Sequence, residues 1–405
     1  MNRVVITGMG IVSPIGNRPD EVWSGLYNGR TGIMPMPEWD TVNDLKAGLA
    51  GVCRDFSPKR IKRKDRRTMG KMAVMAGISA LDALEDAAVD PEHLQSDRTG
   101  VAMGSTTGSG DVIQTLFDDF NETGGISRLE GTAFMKIMNH SVAANLAAML
   151  RVRGRVISPC SACATSTQAI GSGFEVIAHG YQDIMICGGA DELHPSTAGV
   201  FDVLNAASRT RDPDACPGPF DEDRDGLVVG EGAGTLILEN RDHALKRGAP
   251  VLAEIRGYHT CCDGAHMTSP RDTGMLNCMK GALAAAGCTI SDIDYINAHA
   301  TGTLKGDAAE SCAIAMLGTH EVPVSATKGY TGHTLAASGV MEAIFSLLMM
   351  RHNTIIPTRN LKRIGEDCSG INHVTGKTKT ELNTIMTSNF AFGGINATLI
   401  LKRHL

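Results

Sequence analysis

The sequence predicts an α/β fold, because short apolar segments typical of strands alternate with longer segments of helical periodicity. Strands are predicted at residues 3–7, 100–103, 183–187, 234–239, 295–298, 322–325 and 396–402. Helices are predicted at residues 69–88, 165–179 and 335–351. Strands and helices in this alternation favour sheets that are largely buried under helices.

The three predicted helices are of two kinds. The first has apolar residues at helical spacing and ends before Asp90-Pro91; these residues are Val74, Ile78, Leu81 and Leu84. The other two are rich in small residues, and each begins just after a reactive side chain, Cys163 or His333. This shared plan indicates an internal duplication. We expect an N-terminal half at residues 1–247 that carries the cysteine and a C-terminal half at residues 248–405 that carries two histidines.

The composition predicts a soluble protein of the cytoplasm. Of 405 residues, 42% are hydrophobic and 20% are charged, and the net charge of −6 argues against a general nucleic-acid binder. The longest strongly apolar stretch, residues 341–350, is too short to cross a membrane. The N-terminus reads as a strand and not as a secretory leader, and the 11 cysteines are scattered as in a reducing compartment.

Cys163 lies in the small-residue segment SACATS (residues 161–166), where a strand is expected to lead into a helix. The helix N-terminus would offer unpaired N–H groups and the positive end of a dipole, so we expect a lowered pKa and a nucleophilic sulfur. The same N–H groups would form an oxyanion hole. A buried structural cysteine fits the local pattern equally well. Cys160 completes a CxxC, but no second pair completes a zinc set, so no metal is expected.

Four residues of the second half suit such a nucleophile. His299 follows a predicted strand and His333 begins a predicted helix. Sites in α/β proteins form at strand ends, and two histidines there could donate hydrogen bonds to one developing oxyanion. Lys328 would place positive charge near them, and Glu342, on the helix after His333, could pair with Lys328. Each histidine also fits a hydrogen-bonded core residue, and Glu342 also fits a solvated helix position.

Further segments recur in order along essentially the whole chain. They are VVITG at 4–8, SACATS at 161–166, PFDEDRDG at 219–226, GEGAG at 230–234, HATGT at 299–303 with Asp307, TK at 327–328 with GH at 332–333, and FAFGGIN at 390–396. This series resembles the elongating β-ketoacyl-acyl carrier protein synthases of the thiolase-like superfamily. The residues ACATS at 162–166 and Phe201-Asp202 are most similar to the type I branch of bacterial enzymes.

The resemblance implies a duplicated five-layered α/β/α/β/α sandwich that acts as a dimer of like or unlike subunits. It also implies an acyltransferase that performs a decarboxylative Claisen condensation in fatty-acid elongation. Cys163 would take an acyl group from an acyl carrier protein, and His299 and His333 would stabilise the enolate formed when a malonyl-thioester loses carbon dioxide. Lys328 and Glu342 would orient the histidines and balance their charge.

The resemblance also implies binding residues. The backbone N–H groups of Cys163 and Phe392 would form the oxyanion hole, and Thr301 and Thr303 would hydrogen-bond the phosphopantetheine arm. This arm arrives on the carrier protein, so no bound cofactor is expected. The acyl pocket and its gate would be formed by Thr107, Phe201, Phe390 and Phe392.

The basic run at residues 59–67 contrasts with the acidic charge of the whole chain. It fits a solvated face, a nucleic-acid contact that no accompanying binding fold supports, or an acidic protein partner. The resemblance implies that it docks the acidic carrier protein, through Lys59, Lys62, Arg63, Arg66 and Arg67.

Five positions depart from the pattern of the family, with Ala300, Leu304, Leu227, Ala391 and Ile395 in place of Gly, Pro, Phe, Gly and Thr. None removes a catalytic group, but all are expected near the substrate channel. They favour, as an alternative, a ketosynthase of a specialised polyene or polyketide pathway, which could be the active half of a heterodimer with a chain-length partner. The sequence leaves the acyl chain and the type of dimer open.

Three other functions fit the sequence poorly. A degradative thiolase would need a second catalytic cysteine near the C-terminus, and residues 390–396 contain none. A non-catalytic partner subunit would lack the nucleophile. A nucleotide-binding oxidoreductase is suggested only by Gly8-Met9-Gly10, since position 13 is Ser and no ribose-binding acid follows at the required distance.

Overall fold

The computed structural model describes residues 1–216, 218–318 and 320–404, with strands and helices in alternation. The strands are β1 (Val4–Val12), β2 (Ile33–Pro35), β3 (Leu49–Gly51), β4 (Thr99–Gly104), β5 (Val156–Ile157), β6 (Ile184–Asp191), β7 (Val229–Gly230), β8 (Gly232–Asn240), β9 (Ala253–Cys262), β10 (Tyr295–Ala298), β11 (Pro323–Ala326), β12 (Thr354–Ile355), β13 (Asn372–His373), β14 (Thr378–Lys379), β15 (Thr384–Ala391) and β16 (Ile395–Arg403). The helices are α1 (Pro19–Tyr27), α2 (Arg63–Arg66), α3 (Lys71–Asp86), α4 (Pro91–Leu94), α5 (Gly110–Thr123), α6 (Ala133–Ile137), α7 (Ser141–Leu150), α8 (Thr165–Ala178), α9 (Pro195–Val203), α10 (Arg241–Lys246), α11 (Asp272–Ala286), α12 (Leu304–Ala315), α13 (Lys328–Thr331) and α14 (Ser338–His352).

Eleven strands of the described residues form one mixed sheet, in the order β13-β11-β10-β15-β16-β9-β1-β8-β6-β4-β5. It consists of two similar halves, which are joined where residues 4–6 of β1 pair antiparallel with residues 253–255 of β9. In the first half β5, β4 and β6 are parallel, and β8 and β1 follow antiparallel. In the second half β11, β10 and β15 are parallel, and β16 and β9 follow antiparallel. The repeated order supports the inferred duplication, whose boundary at residue 247 stays a prediction.

The helices complete a five-layered arrangement. The central helices α8 and α14 contact strands of both half-sheets. On the outer faces, α3 and α7 contact strands of the first half, and α11, with α12 packed on it, contacts β9 and β16. This is the predicted α/β/α/β/α sandwich. No helix in the described part of the chain is long and apolar enough to cross a membrane.

The central helix α14 is buried on all sides from residue 338 to residue 350. A helix that is apolar all round belongs in the core of a protein. Its polar residues are therefore informative, because a charge such as that of Glu342 is costly to bury unless it is paired. The interpretation of Glu342 as a solvated position is wrong, because its side chain is buried in the helix layer between the half-sheets.

Several predicted element boundaries differ from the structure by a few residues, and those of β1 and α14 bear on the site. β1 continues to Val12, five residues beyond its predicted end. The third predicted helix begins later than expected, because a 3₁₀ turn, Leu335–Ala337, precedes α14. Leu335 has a φ of +50°, which a right-handed helix cannot contain.

The packing of β1 on α3 yields a stability prediction for Gly10. A Cβ at this position would lie 2.0 Å from the carbonyl oxygen of Ser79 and 2.7 Å from the nitrogen of Ala83. Gly10→Ala must push the strand and the helix apart, and we expect it to lower the free energy of unfolding by ~1–3 kcal/mol, seen as a lower Tm. Gly131→Ala is the control, because nothing lies within 4 Å of a Cβ there. Equal Tm values for the two variants would contradict the packing argument.

Candidate active site

Cys163 lies in a 3₁₀ turn, Ala162–Ala164, that leads directly into the central helix α8. Ala162, just before it, has a φ of +44°, a conformation that is unfavourable for a residue with a side chain and persists only where surrounding contacts impose it. One such contact is the backbone N–H of Ser161, which donates to Thr165 Oγ1 at 2.8 Å. The strained turn places the Cys163 sulfur inside the molecule, at the N-terminus of a central helix.

The two predicted histidines approach Cys163 from the second half. His299 follows β10, and His333 follows α13. His333 Nε2 lies 2.9 Å from Cys163 Sγ, although the two residues are 170 positions apart. The histidine ring centroids are 5.3 Å apart and nearly perpendicular. The structure therefore brings together three side chains that the sequence could only suggest separately.

The Nδ1 atom of His299 faces two hydrogen-bond donors. Lys328 Nζ and Asn389 Nδ2 each lie 3.2 Å from it. An ammonium and an amide NH₂ offer only donors, so Nδ1 accepts and the ring proton lies on Nε2. Glu342 holds both donors in place, accepting from Lys328 and, at 2.7 Å, from Asn389 Nδ2. The Lys328–Glu342 ion pair suggested by the sequence is present, with side chains only 4% and 3% exposed.

His333 is held in the same tautomer by different groups. The backbone N–H of Leu335 donates to His333 Nδ1 at 3.2 Å, and Ser338 Oγ lies 2.9 Å from the same atom. The proton therefore lies on Nε2, which faces Cys163. Burial, together with the charge of Lys328, holds the pKa of both histidines well below the ordinary value. Both rings are neutral, and each presents an Nε2–H group.

The predicted lowering of the Cys163 pKa is wrong for the unliganded protein. Burial raises the pKa of the Cys163 thiol to about 12, although the charge of Lys328 and the residue's own backbone N–H act in the opposite direction. The sequence reveals a helix terminus but not the loss of water around a sulfur that the tertiary structure encloses. The proposed nucleophile is therefore a thiol at rest, and it must lose its proton before or during any attack.

The sulfur of Cys163 and ring nitrogens of the two histidines lie within 4.8 Å of one another, a spacing that also suits a metal ion. A metal ligand must direct a lone pair at the ion. Both Nε2 atoms carry protons, and moving the His299 proton to Nδ1 would set it against Lys328 and Asn389, which are donors. The three side chains are therefore better described as two N–H donors beside a sulfur than as a set of metal ligands.

Two buried carboxylates shape the loop that carries His299. Glu310 accepts the backbone N–H of His299 at 2.8 Å and that of the next residue at 2.7 Å. Asp307 accepts the backbone N–H of Thr301 at 2.9 Å. Thr301 Oγ1 and Thr303 Oγ1 lie 3.0 Å apart at the wall of a cavity. The loop thus presents two hydroxyl groups beside His299.

The cavity has a volume of about 280 Å³ and contains the central side chains in its wall. Met267 and Leu304, which also line it, are largely exposed and mark its mouth. The Phe201 and Phe392 ring centroids are 5.7 Å apart. The cavity is lined by most of the predicted site residues, namely Cys163, His299, His333, Thr301, Thr303, Phe201, Phe390 and Phe392.

Thr107 lies outside this cavity. It is exposed in the segment between β4 and α5. The resemblance implied that Thr107 helps to form the acyl pocket, but within this single chain it contributes no wall to this cavity. The reason is the direction of the segment, which leads from the end of β4 toward the surface helix α5.

The predicted docking residues lie on a 3₁₀ turn, Pro58–Arg60, and on α2 and its flanks. Arg66 is partly buried, and the other four, Lys59, Lys62, Arg63 and Arg67, are exposed. None of the five forms an ion pair within residues 1–216, 218–318 and 320–404, whereas Arg60 pairs with Asp82. The run therefore presents charge that the described chain does not neutralise.

Sequence reasoning missed Asn389 and Glu310. Asn389 stands directly before the FAFGG segment, and Glu310 lies three residues after Asp307 on α12. Both positions lie next to segments that resemble the family, and this proximity is the signal that the sequence offers for them. Their roles depend on contacts with the Glu342 side chain and with the backbone of His299, which spacing along the sequence does not reveal.

Comparison with known proteins agrees with this geometry over the full chain. Residues 1–244 match the family model of the beta-ketoacyl synthase N-terminal domain, and residues 252–362 match that of its C-terminal domain. The chain is 40% identical over 408 residues to 3-oxoacyl-[acyl-carrier-protein] synthase 1 of Haemophilus influenzae, with 100% of both covered.

Two solved structures show the same likeness. The crystal structure of a beta-ketoacyl synthase from Burkholderia phymatum STM815 matches at a TM-score of 0.97 and 41% identity, with 100% of each chain covered. The ishigamide ketosynthase/chain length factor matches at a TM-score of 0.93 and 32% identity, again over 100% of each chain. The fold, the full-length likeness and the two matched domains show that the chain belongs to the beta-ketoacyl synthase family.

Proposed function

We propose that this protein is a β-ketoacyl-acyl carrier protein synthase, an acyltransferase of fatty-acid elongation that joins an acyl group held on Cys163 to a malonyl unit with loss of carbon dioxide. The observation that carries the proposal is the pair of neutral Nε2–H donors, on His299 and His333, beside the sulfur of Cys163 in one cavity. A thiol next to two such donors suits acyl transfer followed by formation of an enolate.

In the first half-reaction, the Cys163 sulfur attacks the carbonyl carbon of an acyl thioester on the carrier protein. The bond between that carbon and the carrier's sulfur breaks, and the carrier leaves as a thiol with the proton that Cys163 loses. The Nε2–H of His333, 2.9 Å from Sγ, stabilises negative charge on the sulfur as it forms. The charge of Lys328 acts in the same direction.

In the second half-reaction, the bond between the α-carbon and the carboxylate of a malonyl thioester breaks. Carbon dioxide leaves, and the electron pair remains as an enolate whose oxygen accepts from His299 and His333. Because both rings are neutral, they stabilise this oxygen without supplying an acidic proton that would quench the carbanion. No strong base and no bound cofactor are required for this step.

The enolate carbon then attacks the acyl carbonyl on Cys163. The backbone N–H groups of Cys163 and Phe392 hold the oxyanion of the tetrahedral intermediate. The bond to the Cys163 sulfur breaks, a 3-oxoacyl thioester leaves on the carrier protein, and the thiolate takes up a proton from solvent. Lys328, Glu342 and Asn389 keep the His299 proton on Nε2 throughout.

Fatty-acid elongation is favoured by the full-length likeness to 3-oxoacyl-[acyl-carrier-protein] synthase 1 of Haemophilus influenzae. A specialised polyene or polyketide pathway is the second candidate. It is favoured by the match to the ishigamide ketosynthase/chain length factor and by four departures from the family pattern that line the cavity, Leu227, Ala300, Leu304 and Ala391. These departures alter the walls of the cavity and leave the central residues unchanged.

Loss of the nucleophile should abolish both half-reactions. We expect Cys163→Ala to take up no acyl group from any member of a panel of acyl carrier proteins, and to form no 3-oxoacyl product with malonyl carrier protein, as followed by mass spectrometry. With the unaltered protein, loading of saturated chains indicates elongation, and selective loading of polyene or polyketide chains indicates the specialised pathway. Condensation by Cys163→Ala at the normal rate would refute the mechanism.

The carrier protein is proposed to dock on the basic run at residues 59–67. The five predicted residues are unpaired within the described chain, so their charge is available to an acidic partner. Opposite charges on two partners speed and orient their encounter. Docking of this kind brings the pantetheine arm toward Thr301 and Thr303, whose hydroxyl groups line the cavity.

Charge reversal tests this docking. We expect Lys62→Glu with Arg63→Glu, both exposed, to raise KM for carrier-linked substrates and to weaken the salt dependence of KM, while kcat stays the same. The control is Lys246→Glu with Lys280→Glu, at exposed positions on α10 and α11. Docking elsewhere would be indicated by unchanged kinetics in the first variant or by equal effects in both.

The protein is further proposed to work as a dimer through the surface next to β5. This strand ends the large sheet, and Val156 on it is 50% exposed. Helix α7 contacts β5 and α6, and α6 packs on α5. Helix α5 has no buried residue, and Phe117, Phe120 and Phe134 on α5 and α6 are all exposed. An open sheet edge beside exposed aromatic side chains is typical of an interface that another subunit covers.

The oligomeric state is measurable by light scattering after gel filtration. We expect the unaltered chain alone to have about twice its chain mass of 42.8 kDa, and Phe117→Asp with Phe134→Asp to shift it to the monomer. Leu245→Asp, at an exposed apolar position on α10, should leave the mass unchanged. A monomer for the unaltered chain would instead require a different partner subunit.

A further inference from the structure

Asp191 is a buried carboxylate that none of the proposed steps uses. It ends β6 and is 2% exposed. Its carboxylate accepts the backbone N–H of Thr106 at 3.1 Å and that of Ala336 at 2.8 Å. Thr106 follows β4, the parallel neighbour of β6, whereas Ala336 belongs to the turn just after His333. One carboxylate thus joins the sheet of the first half to a turn of the second half.

The turn that Asp191 holds is strained, and it contacts His333. Leu335 has a φ of +50°, which persists in a residue with a side chain only where surrounding contacts impose it. In this conformation the Leu335 N–H donates to His333 Nδ1 at 3.2 Å. Gly189 permits the close approach, since a Cβ there would lie 2.5 Å from the carbonyl oxygen of Ala336. The turn therefore holds one of the two groups that face His333 Nδ1, the other being the Ser338 hydroxyl.

Among the described residues no ion pair reaches the Asp191 carboxyl, and the groups that act on it include the backbone N–H groups of Thr106 and Ala336 and the neighbouring Glu192. Burial raises its pKa to about 7. A buried acid without a charged partner is unfavourable unless its hydrogen bonds are needed, and such groups concentrate at functional sites. The hydrogen bond to Ala336 is the one that reaches the proposed catalytic residues.

We propose that Asp191 is a positioning residue for His333. By holding the turn Leu335–Ala337 in its strained conformation, it keeps the His333 proton on Nε2, directed at Cys163 and at the enolate. The kinetic consequence of this inference rests on the proposed function. The tautomer itself does not, because it is a property of the unliganded protein.

Glu192 supplies a matched control. It is the next residue, it is buried, and burial raises its pKa as well. It accepts the backbone N–H of Met72 at 2.8 Å and the hydroxyl of Ser109 at 2.6 Å, and neither partner belongs to the His333 turn. Removing one acceptor oxygen from either carboxylate costs a buried hydrogen bond. Only the change at Asp191 should disturb His333.

The kinetic test compares Asp191→Asn with Glu192→Gln. We expect Asp191→Asn to lower kcat for condensation about tenfold, with KM for both carrier substrates unchanged. We expect Glu192→Gln to leave kcat within about twofold of the unaltered protein, even if it lowers Tm as much as Asp191→Asn does. In a His333→Ala background, Asp191→Asn should slow malonyl decarboxylation no further, because the residue through which it acts is gone. A full additional loss in that background would overturn the positioning role.

A second readout is independent of activity. In ¹⁵N spectra of histidine-labelled protein, His333 Nδ1 should appear unprotonated in the unaltered chain and gain the Nδ1–H form in Asp191→Asn, with the signal assigned by its loss in His333→Ala. An unchanged His333 signal in Asp191→Asn would overturn the inference even if condensation were demonstrated. A changed signal in a protein without condensing activity would uphold the inference and refute the proposed function.

Discussion

The position of one proton on each central histidine is the constraint on which the rest of the site depends. Donors occupy the Nδ1 atoms, from Lys328 and Asn389 at His299 and from the Leu335 backbone at His333. The ring proton of each histidine therefore lies on Nε2, and at His333 this atom faces the Cys163 sulfur. This arrangement suits a negative charge that develops on a substrate oxygen, and it leaves no lone pair for a metal.

Burial shifts the pKa of Cys163 and the pKa values of the two histidines in opposite directions, and in each case it favours the neutral form. It raises the pKa of the Cys163 thiol and lowers the pKa of both histidines, so that all three groups are neutral at rest. The buried Lys328–Glu342 ion pair lies beside them, and its lysine contacts His299. Hydrogen bonds in such a water-poor space are stronger than at the surface, so neutral donors are sufficient to stabilise a transient oxyanion.

The two half-sheets contribute different parts of the chemistry. The first half supplies Cys163 at the start of α8, and the second supplies both histidines, the ion pair and the loop with Thr301 and Thr303. The parts meet only because α8 and α14 pack together between the half-sheets. Four of the five departures from the family pattern lie in the cavity wall, so the shape of the cavity can change while the central side chains stay the same.

The sequence by itself determined the α/β class, the approximate strands and helices, and the family. It also singled out the candidate site residues Cys163, His299, His333, Lys328 and Glu342, which the fold brings together. Periodicity, small-residue segments and ordered motifs are local features, and they are legible along one chain. Only the tertiary structure decided the Cys163 pKa, the position of Thr107 outside the cavity, and the parts played by Asn389 and Asp191. The physical reason is that the burial of a group depends on the residues that pack around it, and the position of a ring proton depends on the donors that face the ring. In both cases the residues that decide are distant in sequence.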